Sequence, residues 1–197
     1  MNAPVAVARE QVRAVDLRQP DEAARIEGFV AELAGNLFHR PAWLLAAERG
    51  TGQRARGLLA EKGGAITGWL PLSEVHSPIF GRMLASSGFA VGGGVLADRL
   101  ATAEALCRAA EELAARLSCP TIELRGGPAP EDWTIRTDSH CGFAAPLAAD
   151  DEAQLLDITK RQRAEIRKGL EQDLEIRGGT GPEDLAAHYA MYAESVR

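Results

Sequence analysis

The chain has 197 residues and a formal net charge of -6, with 25% charged, 46% hydrophobic and 5% aromatic residues. That composition supports a sizeable core; it excludes a disordered chain and a general binder of duplex nucleic acid, which needs a broad basic surface. No run approaches the roughly 20 apolar residues of a membrane span, and the start lacks the order of a secretory signal. Cys107, Cys119 and Cys141 show neither disulfide nor metal spacing, so reduced thiols and a cytoplasmic location are expected.

After a frayed start, residues 11–17 alternate as a short strand. Pro20-Asp21-Glu22 opens a helix with Ile26, Phe29, Val30 and Leu33 on one face, ended by Gly35-Asn36. Pro41 fits the first turn of a second helix, which turns Trp43, Leu44 and Ala47 inward and stops near Gly50. Residues 56–61 and 65–75 form a hairpin about Lys62-Gly63-Gly64, with Pro71 marking a bulge or an edge. A short strand at 83–87 leads into the glycine-rich stretch 88–94. An amphipathic helix follows over 102–117, its buried stripe formed by Leu106, Ala110, Leu113 and Leu117.

Residues 121–125 alternate as a strand, and one or two more strands are expected over 133–147 around Gly142. A basic helix covers 151–172, Leu174-Glu175-Ile176-Arg177 reads as a strand, and a last helix runs over 182–197. This order predicts an α+β fold with a mixed, mainly antiparallel sheet of six or seven strands flanked by helices. The expected organisation is a first domain over 1–148, a basic connecting helix over 149–172, and over 173–197 the start of a second unit left incomplete.

The basic helix places Lys160, Arg161, Arg163, Arg167 and Lys168 within nine residues. At about 100° per residue they share one arc of roughly 160°, with Leu155, Ile158, Ile166 and Leu170 opposite as a docking face. Guanidinium and ammonium groups so arranged suit phosphate or carboxylate, which makes Lys160, Arg163, Arg167 and Lys168 the candidate substrate-binding residues. A plainer reading stands beside it. Asp150, Asp151 and Glu152 at one end and the cations at the other match the dipole of a single helix without any ligand.

Other chemistry is sparse. There is no Gly-x-Ser-x-Gly elbow, and His39, His76, His140 and His188 have no ligand spacing, so neither a metal nor a catalytic base is assigned. His39 reads as a cap or packing residue, Glu123 as the partner of Arg125, and Gly92-Gly93-Gly94 as a tight turn in preference to an anion nest. Trp43, Trp69 and Trp133 read as core anchors. Tyr189, Met191 and Tyr192 form an apolar face through which the last helix would associate.

Several blocks, in order and spacing, resemble the FemAB-like acyltransferases of the GNAT superfamily. They are Phe38-His39-Arg40-Pro41-Ala42-Trp43; Gly68-Trp69-Leu70-Pro71-Leu72; Ser77 through Phe80-Gly81 to Gly93-Gly94 and Asp98; and Glu123-Leu124-Arg125. Lys160-Arg161-Gln162-Arg163, Ile166-Arg167-Lys168-Gly169 and Tyr192-Ala193-Glu194-Ser195-Val196-Arg197 complete the set. The likeness is to the bacterial branch associated with exosortase and exopolysaccharide loci. It implies two GNAT-like halves, the first ending near Leu147, in proteins that continue beyond the position of Arg197. It also implies transfer of an acyl or aminoacyl group, with charged tRNA among the donors, to an amine on a cell-envelope or exopolysaccharide building block.

The chain departs from related patterns at two places. The coenzyme A signature Arg/Gln-x-x-Gly-x-Gly/Ala has no clean copy: Arg49-x-x-Gly52-x-Arg54 and Arg54-x-x-Gly57-x-Leu59 each miss the last position, so no cofactor is expected. Leu44-Leu45-Ala46-Ala47 follow Trp43 where the peptidoglycan branch carries a lysine, which disfavours a nucleotide-linked muropeptide. Two alternatives remain open, a noncatalytic interaction module on the same scaffold and a coenzyme A dependent N-acetyltransferase.

Overall fold

The computed structural model describes residues 9–79, 81–138 and 140–197; the opening eight residues, Phe80 and Ser139 lie outside them. The chain divides into two compact units, Met1–Thr137 and Asp138–Arg197.

The first unit contains β1 (Gln11–Ala14), α1 (Pro20–Glu32), a 3-10 turn (Leu37–His39), α2 (Pro41–Thr51), β2 (Arg54–Lys62), β3 (Ala65–Ser77) and β4 (Gly81–Ser86). It continues with β5 (Leu96–Ala97), α3 (Leu100–Arg116) and β6 (Thr121–Leu124). These build a mixed six-stranded sheet ordered β1-β2-β3-β4-β6, with β5 also on β3. Every pairing is antiparallel except β4 with β6. The expected α+β class, mainly antiparallel with flanking helices, is therefore what the chain adopts.

Alternation along the strands sorts the core into two layers. Leu58, Leu70, Leu72 and Leu84 face the α3 stripe of Leu106, Ala110 and Leu113. Leu59 and Trp69 point the other way, onto Ile26, Phe29, Val30 and Leu44 of α1 and α2. Proline fits the interior of β3 for a local reason. Along its second edge β3 pairs β5 at Gly68 and Trp69 and β4 only from Ser73, so Pro71 falls in the gap between them. There β3 has one neighbour, the edge-like setting that a residue without an N–H tolerates. The register shift between β2 and β3 lies elsewhere, at Ala60/Glu61.

The second unit holds α4 (Asp151–Asp157), α5 (Lys160–Leu170) and α6 (Pro182–Ser195), and none of the three carries a buried residue. Three expectations are corrected here. The basic helix is two helices, because Ile158 and Thr159 have extended ψ values of 147° and the Thr159 side chain accepts a hydrogen bond from Gln162 N. Thr159-x-x-Gln162 is a helix-start signature, with the two side chains 3.0 Å apart. Among the described residues, 133–147 form no strand, and neither do 174–177. In both places alternation marks a two-faced segment, but a strand also needs a neighbour to take its N–H and C=O groups.

Candidate functional site

The parallel pair β4/β6 ends in a built loop. Beyond Ser86 the chain leaves the sheet through 87–95 before rejoining β3 as β5, and beyond Leu124 it turns through Arg125, Gly126 and Gly127. The two segments tie together. Arg125 N donates to Ser86 Oγ at 3.0 Å, Gly94 N donates to Arg125 O at 3.1 Å, and the Arg125 guanidinium donates to Ala90 O. Its Nε holds Glu123 at 2.8 Å, as the sequence pairing predicts. Glycine is required at Gly94, where a Cβ would stand 1.6 Å from Gly126 O, with backbone on both sides and no room to yield.

The aromatic block 38–43 latches this loop from the α2 side. Trp43 Nε1 donates to Gly88 O at 3.4 Å, and Trp43 and Phe38 meet edge to face with ring centroids 5.0 Å apart. Phe38 also lies under Gly93, whose φ of +91° and missing Cβ let the backbones approach: a Cβ there would lie 2.9 Å from Phe38 O. His39 is a cap, as expected. Asn36 N donates to its Nδ1 at 3.1 Å, and Trp69 Nε1 donates to its carbonyl at 2.8 Å. Burial lowers the His39 pKa against the hydrogen bonds to the Gly94 and Asn36 backbone that raise it. With Nδ1 occupied and the ring buried, His39 positions the loop and does not serve as a base.

Within the loop, strain and unused donors coincide. Phe89 has a φ of +62°, a conformation costly for an aromatic residue, yet its side chain is half exposed. Val91 is exposed beside it, and Ser87 Oγ is fully buried with no hydrogen-bond partner. Among the described residues, the N–H groups of Gly92 and Gly93 make no hydrogen bond either. Neither residue carries a Cβ; Gly92 is partly exposed, and Gly93 is buried against Phe38 and Ser87.

The amino end of α3 is built differently. Glu10, just before β1, accepts from Thr67 Oγ1 at 2.8 Å, Thr102 Oγ1 at 3.0 Å and Arg99 Nη2 at 2.7 Å, and Arg99 Nε also pairs with Asp98 at 3.3 Å. One guanidinium faces two carboxylates there. A coenzyme A diphosphate placed at this helix start, where N–H groups ordinarily favour an anion, would meet a net negative side-chain cluster in which Arg99 and Thr102 are already bonded to Glu10, while no side chain caps the first-turn N–H groups. These residues do not fit it.

The residues predicted for anion binding lie in the second unit. Lys160, Arg167 and Lys168 are exposed on α5 and Arg163 is half-buried there, and Lys168 pairs with Glu165 at 3.2 Å. The helix break changes their electrostatics. Asp150, Asp151 and Glu152 belong to α4, so the acids no longer precede these cations on one helix, and Lys160 and Arg161 occupy the first turn of α5, the positive end of its dipole. Dipole complementarity thus fails to account for that half of the cluster. The expected docking face is covered only in part: Leu155 and Ile158 are half-buried, while Ile166 is 37% and Leu170 72% exposed.

Sequence reasoning picked Gly92-Gly93-Gly94 and the aromatic block separately and missed that they form one assembly. It also missed Glu10, which has no local signal: its partners Thr67 and Thr102 lie 57 and 92 residues away.

No family model matches the chain, and no curated protein matches it. Solved structures similar in chain course include acetyltransferases. A ribosomal-protein-alanine N-acetyltransferase from Brucella melitensis biovar Abortus 2308 is 12% identical over 87% of this chain and 97% of its own, at a TM-score of 0.42. A GNAT family acetyltransferase from Staphylococcus aureus subsp. aureus USA300_TCH1516 is 16% identical over 70% and 98%, at 0.45. The aminoglycoside N-acetyltransferase AAC(6')-Iy, solved in complex with CoA, is 13% identical over 92% and 99%, at 0.41. At these identities and TM-scores no residue here inherits a role from any of them.

Proposed function

We propose that this chain is an N-acyltransferase of GNAT architecture, moving an acyl group from an activated thioester or ester carrier onto an amine. The observation that carries the reading is the single parallel pair of an otherwise antiparallel sheet, ending in a strained glycine loop with unused N–H donors. The carboxyl ends of parallel strands are where ligands bind in open α/β sheets. The donor carbonyl lies against Gly92 and Gly93, whose N–H groups stabilise the oxyanion as the amine attacks. A C–N bond forms, the C–S or C–O bond to the carrier breaks, and the proton lost by the attacking nitrogen is taken up, through solvent, by the departing sulfur or oxygen.

Two donor classes are weighed, an aminoacyl ester of tRNA, which the resemblance of the sequence blocks implies, and a coenzyme A thioester, the open alternative. The first carries a run of phosphates and the second a diphosphate. Lys160, Arg163, Arg167 and Lys168 are assigned to carrier or acceptor phosphate, and a FemAB-like role on an envelope or exopolysaccharide amine is the finer form of the proposal. The test is to supply acetyl-coenzyme A and, separately, aminoacyl-tRNA with a panel of amino sugars and peptide amines, reading N-acylated product by mass spectrometry. Product with either donor, lost in Gly93→Val, supports the reading; product with neither, from folded protein, overturns it.

A further inference from the structure

We propose that Glu10 serves as a built-in anion for the amino end of α3, closing that helix start to the diphosphate of any donor. The inference rests on the acyltransfer reading and sharpens it, because it fixes where the carrier is not held.

Three observations converge on Glu10. Its carboxylate ties the segment before β1 to two elements distant in sequence, β3 through Thr67 and α3 through Thr102 and the N-cap residue Arg99. Thr102 Oγ1 lies 3.0 and 3.1 Å from the two oxygens of that carboxylate and also accepts from Arg99 Nη2 at 3.2 Å, and Thr102 is fully buried, so no other anion reaches that hydroxyl while Glu10 is in place. The local charge is settled as well. Glu10 and Asp98 outnumber Arg99, and Glu104 follows within α3. A ligand phosphate would have to displace a paired carboxylate and then sit beside Asp98, with like charges a few ångströms apart.

Glu10 supplies the negative charge that the helix dipole favours, and it does so intramolecularly, without the entropic cost of recruiting a ligand. The same arrangement ties the segment before β1 to the helix. The carrier is consequently held elsewhere, and the acyl group approaches the glycine loop without a diphosphate anchor on α3.

The full chain is tested by thermal unfolding with inorganic pyrophosphate and with coenzyme A. Wild-type protein is expected to show no shift in Tm from pyrophosphate at millimolar concentration. Glu10→Gln, which keeps the shape and removes the charge, is expected to lower Tm by several degrees and to gain a pyrophosphate-dependent rise that the further change Arg99→Gln abolishes. Stabilisation of wild type by coenzyme A that survives Arg99→Gln places the cofactor away from α3 and supports the inference. Stabilisation by either ligand that Arg99→Gln abolishes in the wild-type background overturns it, as does a Glu10→Gln protein that stays indifferent to pyrophosphate. Should Glu10→Gln not fold, Glu10→Asp serves instead: its shorter side chain is expected to admit pyrophosphate weakly, and indifference there also overturns the inference. Failure of the acylation assay would leave these Tm readouts unchanged, so the two proposals fail separately.

Discussion

The two units of this chain use similar helices to opposite ends. In the first, α3 buries Leu106, Cys107 and Ala110 completely against the sheet; in the second, α4, α5 and α6 carry no fully buried residue, and Leu185, Tyr189 and Tyr192 of α6 are more than half exposed. An apolar stripe is therefore evidence of a helix and of a face wanting cover, but not of what covers it. Stability should reside in the first unit, where burial offsets chain entropy, and the second should respond to substitution chiefly through local helix propensity.

The strongest way to break that comparison is one substitution made in both places. Gly94→Ala is expected to cost on the order of 3 kcal/mol or more, because the new Cβ meets backbone that cannot move aside. Gly169→Ala in α5, where a Cβ would meet nothing within 4 Å, should raise helicity and stabilise by up to about 1 kcal/mol. Urea unfolding and circular dichroism of the full chain read both, and equal signs would refute the contrast. A smaller version uses leucine. Leu106→Ala should cost about 2–5 kcal/mol as a core cavity, whereas Leu185→Ala should stay within about 0.5 kcal/mol; a large loss at Leu185 would show that α6 is covered in solution.

Charge sharpens the picture further. Glu74 on β3 is buried, which would raise its pKa, but hydrogen bonds from Arg56 and Arg82 outweigh burial and hold it below the ordinary 4.5. Its folded-state pKa is thus depressed, so its contribution is complete above pH 4.5 and is lost as pH falls through the folded value. Glu74→Gln should cost about 1–3 kcal/mol at pH 7 and flatten the fall in stability below pH 4.5, as measured by urea titration across pH. The smallest effect on stability belongs to α5. Arg163→Gln with Arg167→Gln should change it by less than about 0.5 kcal/mol yet weaken binding of a phosphate-bearing donor at low salt. Unchanged binding would remove these residues from the proposed site.

Much of the fold was legible because local rules and tertiary demands agree in the first unit. Pro20 and Pro41 start helices, Lys62-Gly63-Gly64 turns a hairpin, and the α3 stripe has the period of a buried helical face. The errors share one cause. Residues 133–147 and 174–177 alternate like strands, but alternation describes two faces and cannot supply a partner. At 158–159 the signal was present and outweighed: Thr159-x-x-Gln162 is a helix start, while the charge pattern favoured one longer helix.

By itself the sequence determined the α+β class, the hairpin, the long amphipathic helix, the cap at His39 and the cationic character of 160–168. Those properties are carried by neighbours within a few residues, where dihedral preference and side-chain period act. Tertiary structure alone decided that Gly94 touches Gly126, that Trp43 reaches Gly88 and that Glu10 fills the amino end of α3. Each of these joins segments separated by tens of residues. Such contacts depend on how the sheet is ordered and on which donors remain unpaid once it closes, quantities that no local window of sequence contains.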